Sequence, residues 1–400
     1  MSEQNKSFQA DPGLNHALNL LRKNSASQQR LPNELSDRGI GEHATLDLLA
    51  PHVFERAAPL DSAATFAHMD PPTPWITWAT TLWNARLNQN LLHRATGPFA
   101  IEAEEKVLDW LTPFFGMSGG HMCSGSTIAN LTSLWAARDS KGIRKIIASK
   151  SAHISIAKAA TILGLPYEQI DTNSSGQIDQ DKIGELSDAC LVLTAGTTDT
   201  GTIDPLALAG EAKWTHIDAA WAGPLRLSQT HSHLLDGVNK ADSIAVSAHK
   251  WLFQPKDSAI VMFREYDLAK SAMSFGSGYL ADPNVGVQGS RGASAIPLLA
   301  TLIAWGRMGI ADRLDDAMSM ARLFATELGK ESNICLWAMP ETGVTVFRPV
   351  AMSVEELHQC LPDGMFSSCT LNGEKWARSV AANPMVDIDK ILESVRRAVR

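Results

Sequence analysis

From about residue 100 to residue 263 the chain alternates short apolar runs with helix-length amphipathic stretches, and few folds accept that rhythm. Arg144–Ala148, Cys190–Ala195, Trp214–Asp218, Ser243–Ser247 and Ala259–Phe263 are too short for buried helices and predict strands. Ile101–Phe115, Ser126–Arg138 and Ile154–Leu163 predict helices; in the first, Val107, Leu108, Leu111 and Phe115 fall on one face. Strand–helix alternation implies a largely parallel sheet with helices on both faces, an α/β fold. Residues 293–330 predict long helices. Beyond them, strands at Ile334–Met339, Gly343–Phe347 and Trp376–Ala381 with helices at Val354–Cys360 and Ile388–Val399 predict a small α+β domain. The expected division is a helical segment at 1–85, a large α/β domain at 86–310 and a small domain at 311–400. Within the first segment, Asp70-Pro71-Pro72-Thr73-Pro74 forces an extended elbow, because proline fixes φ and disfavours helix before it.

Composition narrows the classes of function. The net charge of −8, with no basic cluster, gives no nucleic-acid footprint. Met1 to Arg30 is polar with no apolar core of a signal peptide, and no run of about 18 apolar residues predicts a membrane span. The five cysteines show no CxxC spacing, which argues against a zinc site and a disulfide framework. A reducing cytoplasm is the expected compartment. His231-Ser232-His233 has no third metal ligand nearby in sequence and reads as a polar loop; no metal is expected.

Five motifs follow one another in this region. Gly119–Leu131 contains Ser124-Gly125-Ser126-Thr127 at the start of a helix, where backbone N–H groups and the positive helix end suit a phosphate; a plain capped helix reads the same way. His153 precedes the next helix, as an ordinary structural residue or as one lying flat on an aromatic group. Thr194–Asp204 is a hydroxyl-rich loop after a strand, an ordinary turn or an edge-on polar contact. Asp218 ends the strand Thr215-His216-Ile217-Asp218 before Ala219-Ala220-Trp221. It fits a helix cap, or an acid that keeps a pyridine nitrogen protonated beside small residues that admit a flat ring. Lys250, in Ser247-Ala248-His249-Lys250-Trp251, follows another strand. A lone lysine there is ordinarily a solvated surface residue. All five motifs fall at the C-terminal ends of predicted strands, where open sheets bind ligands, and that concurrence selects the chemical reading.

On these motifs the sequence, from about His68 to Arg378, closely resembles the group II decarboxylases that depend on pyridoxal 5′-phosphate (PLP), a family that includes aromatic amino acid, glutamate and 2,4-diaminobutyrate decarboxylases. The resemblance implies the aspartate aminotransferase-like fold type I, an L-amino acid substrate, and release of CO2 with the corresponding amine. It implies that Lys250 carries the cofactor, Asp218 pairs with its ring nitrogen, Ala220 and His153 take its two faces and Thr198 its edge. It further implies that Gly125, Ser126, Thr127, Ser247 and His249 hold the phosphate. Tyr279, between Gly276-Ser277-Gly278 and Leu280, matches the family's mobile-loop tyrosine, which with His153 is a candidate proton donor to Cα. A homodimer is implied, with N-terminal segments wrapped around the partner and the site at the interface. Two departures stand out. Ser247 replaces a more usual Asn or Asp, and the stretch from Tyr279 to Ser290-Arg291-Gly292 is short, with one arginine where a pair is usual. Among elbow residues that line the family's substrate pocket, His68 and Asp70 favour a polar or cationic side chain such as that of 2,4-diaminobutyrate. Pro72 and Thr73 join them, and Trp75 and Trp78 equally suit an aromatic ring or interface packing. Transamination, decarboxylation coupled to oxidative deamination, and a non-catalytic role are the alternatives; Arg378 is the candidate carboxylate clamp of the first.

Overall fold

The computed structural model describes residues 12–22 and 30–400. The chain divides into two units, Met1–Pro59 and Leu60–Arg400. The first contains α1 (Pro12–Arg22) and α2 (Glu42–Arg56). The second opens with the Pro-rich elbow, extended as expected, which leads into α3 (Trp75–Leu87) and α4 (Pro98–Leu111).

At its centre is a seven-stranded sheet of β1 (Gly119–Cys123), β2 (Lys145–Ser149), β3 (Tyr167–Ile170), β4 (Ala189–Thr194), β5 (Trp214–Asp218), β6 (Ser243–Val246) and β7 (Ala259–Phe263), ordered β1-β7-β6-β5-β4-β2-β3. Strands β2 to β6 run parallel; β7 is antiparallel to β6, and β1 to β7. Alternate residues feed two cores. In β4, Leu191 and Leu193 enter one core and Cys190 and Val192 the other, all fully buried. Burial on both faces explains why these strands read as continuous apolar runs. The second core is closed by α5 (Ser126–Lys141) and α6 (Ile154–Leu163), the first by α4 and by α8 (Ala295–Leu328). Between β7 and α8 lie α7 (Tyr266–Ala272) and a short hairpin, β8 (Ser274–Phe275) with β9 (Asn284–Val285).

Helix α8 breaks at Gly306, whose φ of 63° interrupts the helical backbone, so two helices occupy the span. By length and composition α8 is apolar enough to cross a bilayer, yet Leu298, Leu302, Ile310, Leu314 and Phe324 are core residues. The tail forms an antiparallel sheet of β10 (Ile334–Leu336), β11 (Val344–Pro349), β12 (Ser367–Leu371) and β13 (Glu374–Val380) in the order β10-β11-β13-β12, with α9 (Val354–Gln359) and α10 (Ile388–Ala398). The elbow is stitched to it: Val380 N–H donates to Phe66 O at 2.7 Å, and Arg378 Nη2 to Ala67 O at 3.3 Å.

The sequence reading missed β1, β3 and β12, and the two-residue strands β8 and β9. In β1 the cause is Gly119-Gly120, which breaks any apolar pattern. Gly120 is required by close approach, since a Cβ there would lie 2.0 Å from Val261 O on β7. Gly120→Ala is therefore expected to destabilise the fold by about 3 kcal/mol, read from the urea midpoint. An unchanged midpoint would show that β1 and β7 separate freely.

Candidate active site

The parallel strands end on one side of the sheet, and that edge gathers the motifs. Asp218 terminates β5, is buried, and has both oxygens engaged: Oδ2 accepts Asn130 Nδ2 at 2.9 Å and Oδ1 accepts Ala220 N–H at 3.1 Å. Asn130 stands one turn into α5 and also donates from Nδ2 to Ser155 Oγ at 2.9 Å. Ser155 Oγ lies 2.8 Å from His153 Nδ1, and Ser155 N–H donates to the same nitrogen at 3.2 Å, making His153 the cap of α6.

These contacts fix a direction for every proton. Asn130 uses its amide group to donate, so its Oδ1, 3.0 Å from His216 Nε2, must accept. His216 then carries its proton on Nε2, and Nδ1 accepts from Ser243 Oγ at 3.0 Å, which in turn accepts Trp214 Nε1–H at 2.9 Å. The chain runs from Trp214 through Ser243, His216 and Asn130 to Asp218 and, by Ser155, to His153. It leaves His153 with Nδ1 as acceptor and its proton on Nε2. The sequence reading passed over Asn130 and His216 as functional residues. The one available signal was Asn130's place one helical turn after Ser126, on the face towards the sheet.

Electrostatics agrees with this assignment. Burial pushes His216 down to about 4 and lowers His153. Burial also lowers Lys250, on which Asp218, Asp70, Lys256 and Arg378 act electrostatically. More of the Lys250 amine is therefore neutral and nucleophilic near neutral pH. His249 is pushed down to about 4 by burial and then by Lys256, and its Nδ1 is buried without a partner.

The residues expected to hold a phosphate lie at the start of α5. Ser126 Oγ and Ser247 Oγ are hydrogen-bonded to each other, and α5 begins at Gly125 with no side-chain cap. That leaves the positive end of α5 open to an anion, beside two hydroxyls and His249. Ala220 is buried next to Asp218, and Thr198 follows β4 at the same edge. Donors, acid, amine and a flat alanine floor together fit PLP. When bound, PLP supplies a conjugated ring that accepts the electron pair left as a bond to Cα breaks.

Two expected residues are not drawn in. Tyr279 is 71% exposed on the loop between β8 and β9, and its ring contact is with His93 at 6.2 Å. Trp75 is 70% exposed at the start of α3. Neither makes a hydrogen bond or ring contact with Lys250, Asp218 or His153. Thr73 serves α3 itself, accepting Trp78 Nε1–H at 2.8 Å, while Pro72 and His68 flank Asp70. Asp70 is ion-paired with Lys256, which no sequence pattern had singled out. Burial raises the Asp70 carboxyl, but its hydrogen bond to Lys256 and the charges of Lys256, His68 and His249 outweigh this and leave it lowered. On the other side, Asp199 is raised by burial, with Arg378 opposing.

Comparison with known proteins identifies the family. Residues 49–350 match the pyridoxal-dependent decarboxylase conserved domain, and the chain belongs to that family. It is a PLP-dependent carboxy-lyase of amino acids. Aspartate 1-decarboxylase of Aliivibrio fischeri is 29% identical over 79% of this chain and 69% of its own length. L-2,4-diaminobutyrate decarboxylase of Rhizobium meliloti is 30% identical over 79% of this chain and 71% of its own length. The glutamate decarboxylase domain from Vibrio parahaemolyticus superposes with a TM-score of 0.85 at 20% identity, covering 100% of this chain and 99% of that one. That last likeness establishes fold type I.

The depressed His216 sets a pH dependence. Its neutral form stabilises the fold fully above the unfolded value near 6.5, and this contribution is lost as pH falls towards about 4. His216→Gln should flatten the acid side of the stability profile by on the order of 3 kcal/mol at most. Chemical denaturation between pH 4 and 7 measures it, and an unaltered slope contradicts the proton chain.

Proposed function

We propose that this decarboxylase acts on an L-amino acid with a short cationic side chain, of the 2,4-diaminobutyrate kind. The observation that carries this reading is Asp70, a carboxylate on the elbow close enough to Lys250 to act on its charge. Asp199, beside Thr198, adds a second carboxylate near Arg378. A side-chain ammonium would take Asp70 in exchange for Lys256, whose pair with Asp70 is 60% and 40% exposed and so weakly held. Lys256 also supports a second reading, an acidic side chain of the aspartate kind. An aromatic substrate is favoured less, because Trp75 and Trp78 stand on the exposed face of α3.

With PLP bound, Lys250 would hold the cofactor, and Asp218, fixed by Asn130 and Ala220 N–H, would pair with its ring nitrogen. His153, in its protonated form, and Tyr279, once its loop covers the site, are the candidate proton donors to Cα. Lys250→Ala should abolish turnover. Asp70→Asn should raise KM for diaminobutyrate at least about tenfold, as expected when a charged hydrogen bond is lost, with little change in kcat. A screen that identifies product by mass decides between readings. CO2 with a diamine supports the cationic substrate, β-alanine from aspartate supports Lys256, and aldehyde or keto acid without amine rejects simple decarboxylation.

The reading includes a homodimer in the cytoplasm. Trp75, Trp78, Leu82, Trp83 and Leu87 are all exposed along α3, an apolar face larger than isolated surface residues explain. Five unpaired cysteines fit a reducing compartment. The Trp83→Glu variant should lower the mass by half in light scattering; an unchanged dimer would place the interface elsewhere.

A further inference from the structure

The loop carrying Tyr279 and the loop read as the phosphate site are joined by side chains that no motif predicted. Residues 276–283 form the tip of the β8–β9 hairpin, closed by Ser274 pairing with Val285 and Phe275 with Asn284. From β9 the chain returns along 286–292 to α8, and this arm runs against β1. Gly286 lies on His121: a Cβ there would meet Nε2 at 2.5 Å. Gln288 Oε1 accepts Ser124 N–H at 2.9 Å. Arg291 forms a two-pronged ion pair with Glu104, Nη2 to Oε1 at 2.7 Å, and that same oxygen accepts Met122 N–H at 3.1 Å.

These two anchors differ in kind. The Glu104–Arg291 pair is largely buried, with side chains 7% and 22% exposed, and separating it would strand charges out of water. It fixes the arm to the sheet. Gln288 makes a single neutral hydrogen bond, and it makes it to the backbone of the loop that turns from β1 into α5. Ser124 N–H is thereby committed to Gln288, which sets how Gly125, Ser126 and Thr127 face the open end of α5.

We propose that Gln288 is a positioning residue for the phosphate loop, and that through it occupation of that loop by the cofactor's phosphate is coupled to the order of the Tyr279 hairpin. Coupling of this kind is reciprocal: whatever the phosphate contributes to the hairpin, an ordered hairpin returns to phosphate affinity. The proposal rests on reading Ser124–Thr127 as the phosphate loop, and is independent of which amino acid is the substrate.

The test compares PLP with pyridoxal, which lacks the phosphate, on the apoprotein of the wild type and of Gln288→Leu and Gln288→Glu. Affinity is followed by fluorescence, and hairpin order by chymotryptic cleavage after Tyr279 and Leu280. In the wild type, PLP should bind more tightly than pyridoxal and slow the cut, and pyridoxal should not slow it. Gln288→Leu should lose about fivefold to tenfold in PLP affinity, the worth of one hydrogen bond, keep its pyridoxal affinity within about twofold, and lose the protection. Gln288→Glu keeps an acceptor for Ser124 but adds a charge near the phosphate, so it should weaken PLP and spare pyridoxal as well. Equal weakening of both ligands, or protection that persists in Gln288→Leu, overturns the coupling while leaving the phosphate loop in place. A wild type that binds both ligands equally overturns the phosphate-loop reading itself.

Discussion

The site hangs on one buried aromatic contact. Trp221 and Trp251 stack with ring centroids 3.9 Å apart and planes 30° from parallel, both almost wholly buried. Trp221 follows Asp218 by three residues and Trp251 follows Lys250 by one, so the stack ties together the strand ends that carry the acid and the amine. Each indole N–H is then spent on the C-terminal stretch that carries the antiparallel sheet, Trp221 Nε1 on Thr342 Oγ1 at 3.2 Å and Trp251 Nε1 on Ala381 O at 3.1 Å. Gly343 has no side chain because a Cβ would sit 2.5 Å from Trp251. Gly196, with φ of 93°, packs against Trp221 and brings the loop of Thr197 and Thr198 to the same place. An aromatic pair adds only about 0.5–1.5 kcal/mol beyond its buried area. Its larger effect is to leave three motifs no independent freedom.

That dependence separates what the sequence declares from what it conceals. Strands β4 to β7 are buried on both faces, so their apolar runs were legible nearly to the residue, as were α6 and the motifs at the strand ends. Strand β1 was hidden because close approach to β7 demands glycine where a strand pattern demands bulk. The family and its cofactor were legible because the chemistry limits which side chains serve. Asn130, Gln288 and Lys256 were not, since each acquires its role from a partner 88, 164 or 186 positions away. Tyr279 shows the converse. Its place in the chain suggested proximity to the reacting atoms, whereas the hairpin holds it in solvent beside His93.

Burial drives the site's bases in one direction. Lys250, His153, His216 and His249 are all lowered first by burial, which favours their neutral forms. Asp218 is equally enclosed and receives two hydrogen bonds, from Asn130 and Ala220. The same enclosure thus shifts the Lys250 amine towards its neutral form while it holds the Asp218 carboxylate in one orientation.

The two carboxylates near Lys250 are held in opposite ways, and the contrast bears on selectivity. Asp218 is locked by partners that are themselves locked, through a chain ending in the buried Trp214. Asp70 is held by a lysine on a flexible stem that is 60% exposed. A locked carboxylate suits a cofactor that stays; a loosely paired one suits a substrate that must enter, displace a cation and leave. An exposed pair contributes well under about 1 kcal/mol, so exchanging Lys256 for a substrate ammonium costs little stability. The elbow bearing Asp70 is meanwhile bonded to β13 through Phe66 and Ala67. On the proposed cationic substrate, the carboxylate would keep its position while its partner changes, which is what discrimination by charge requires.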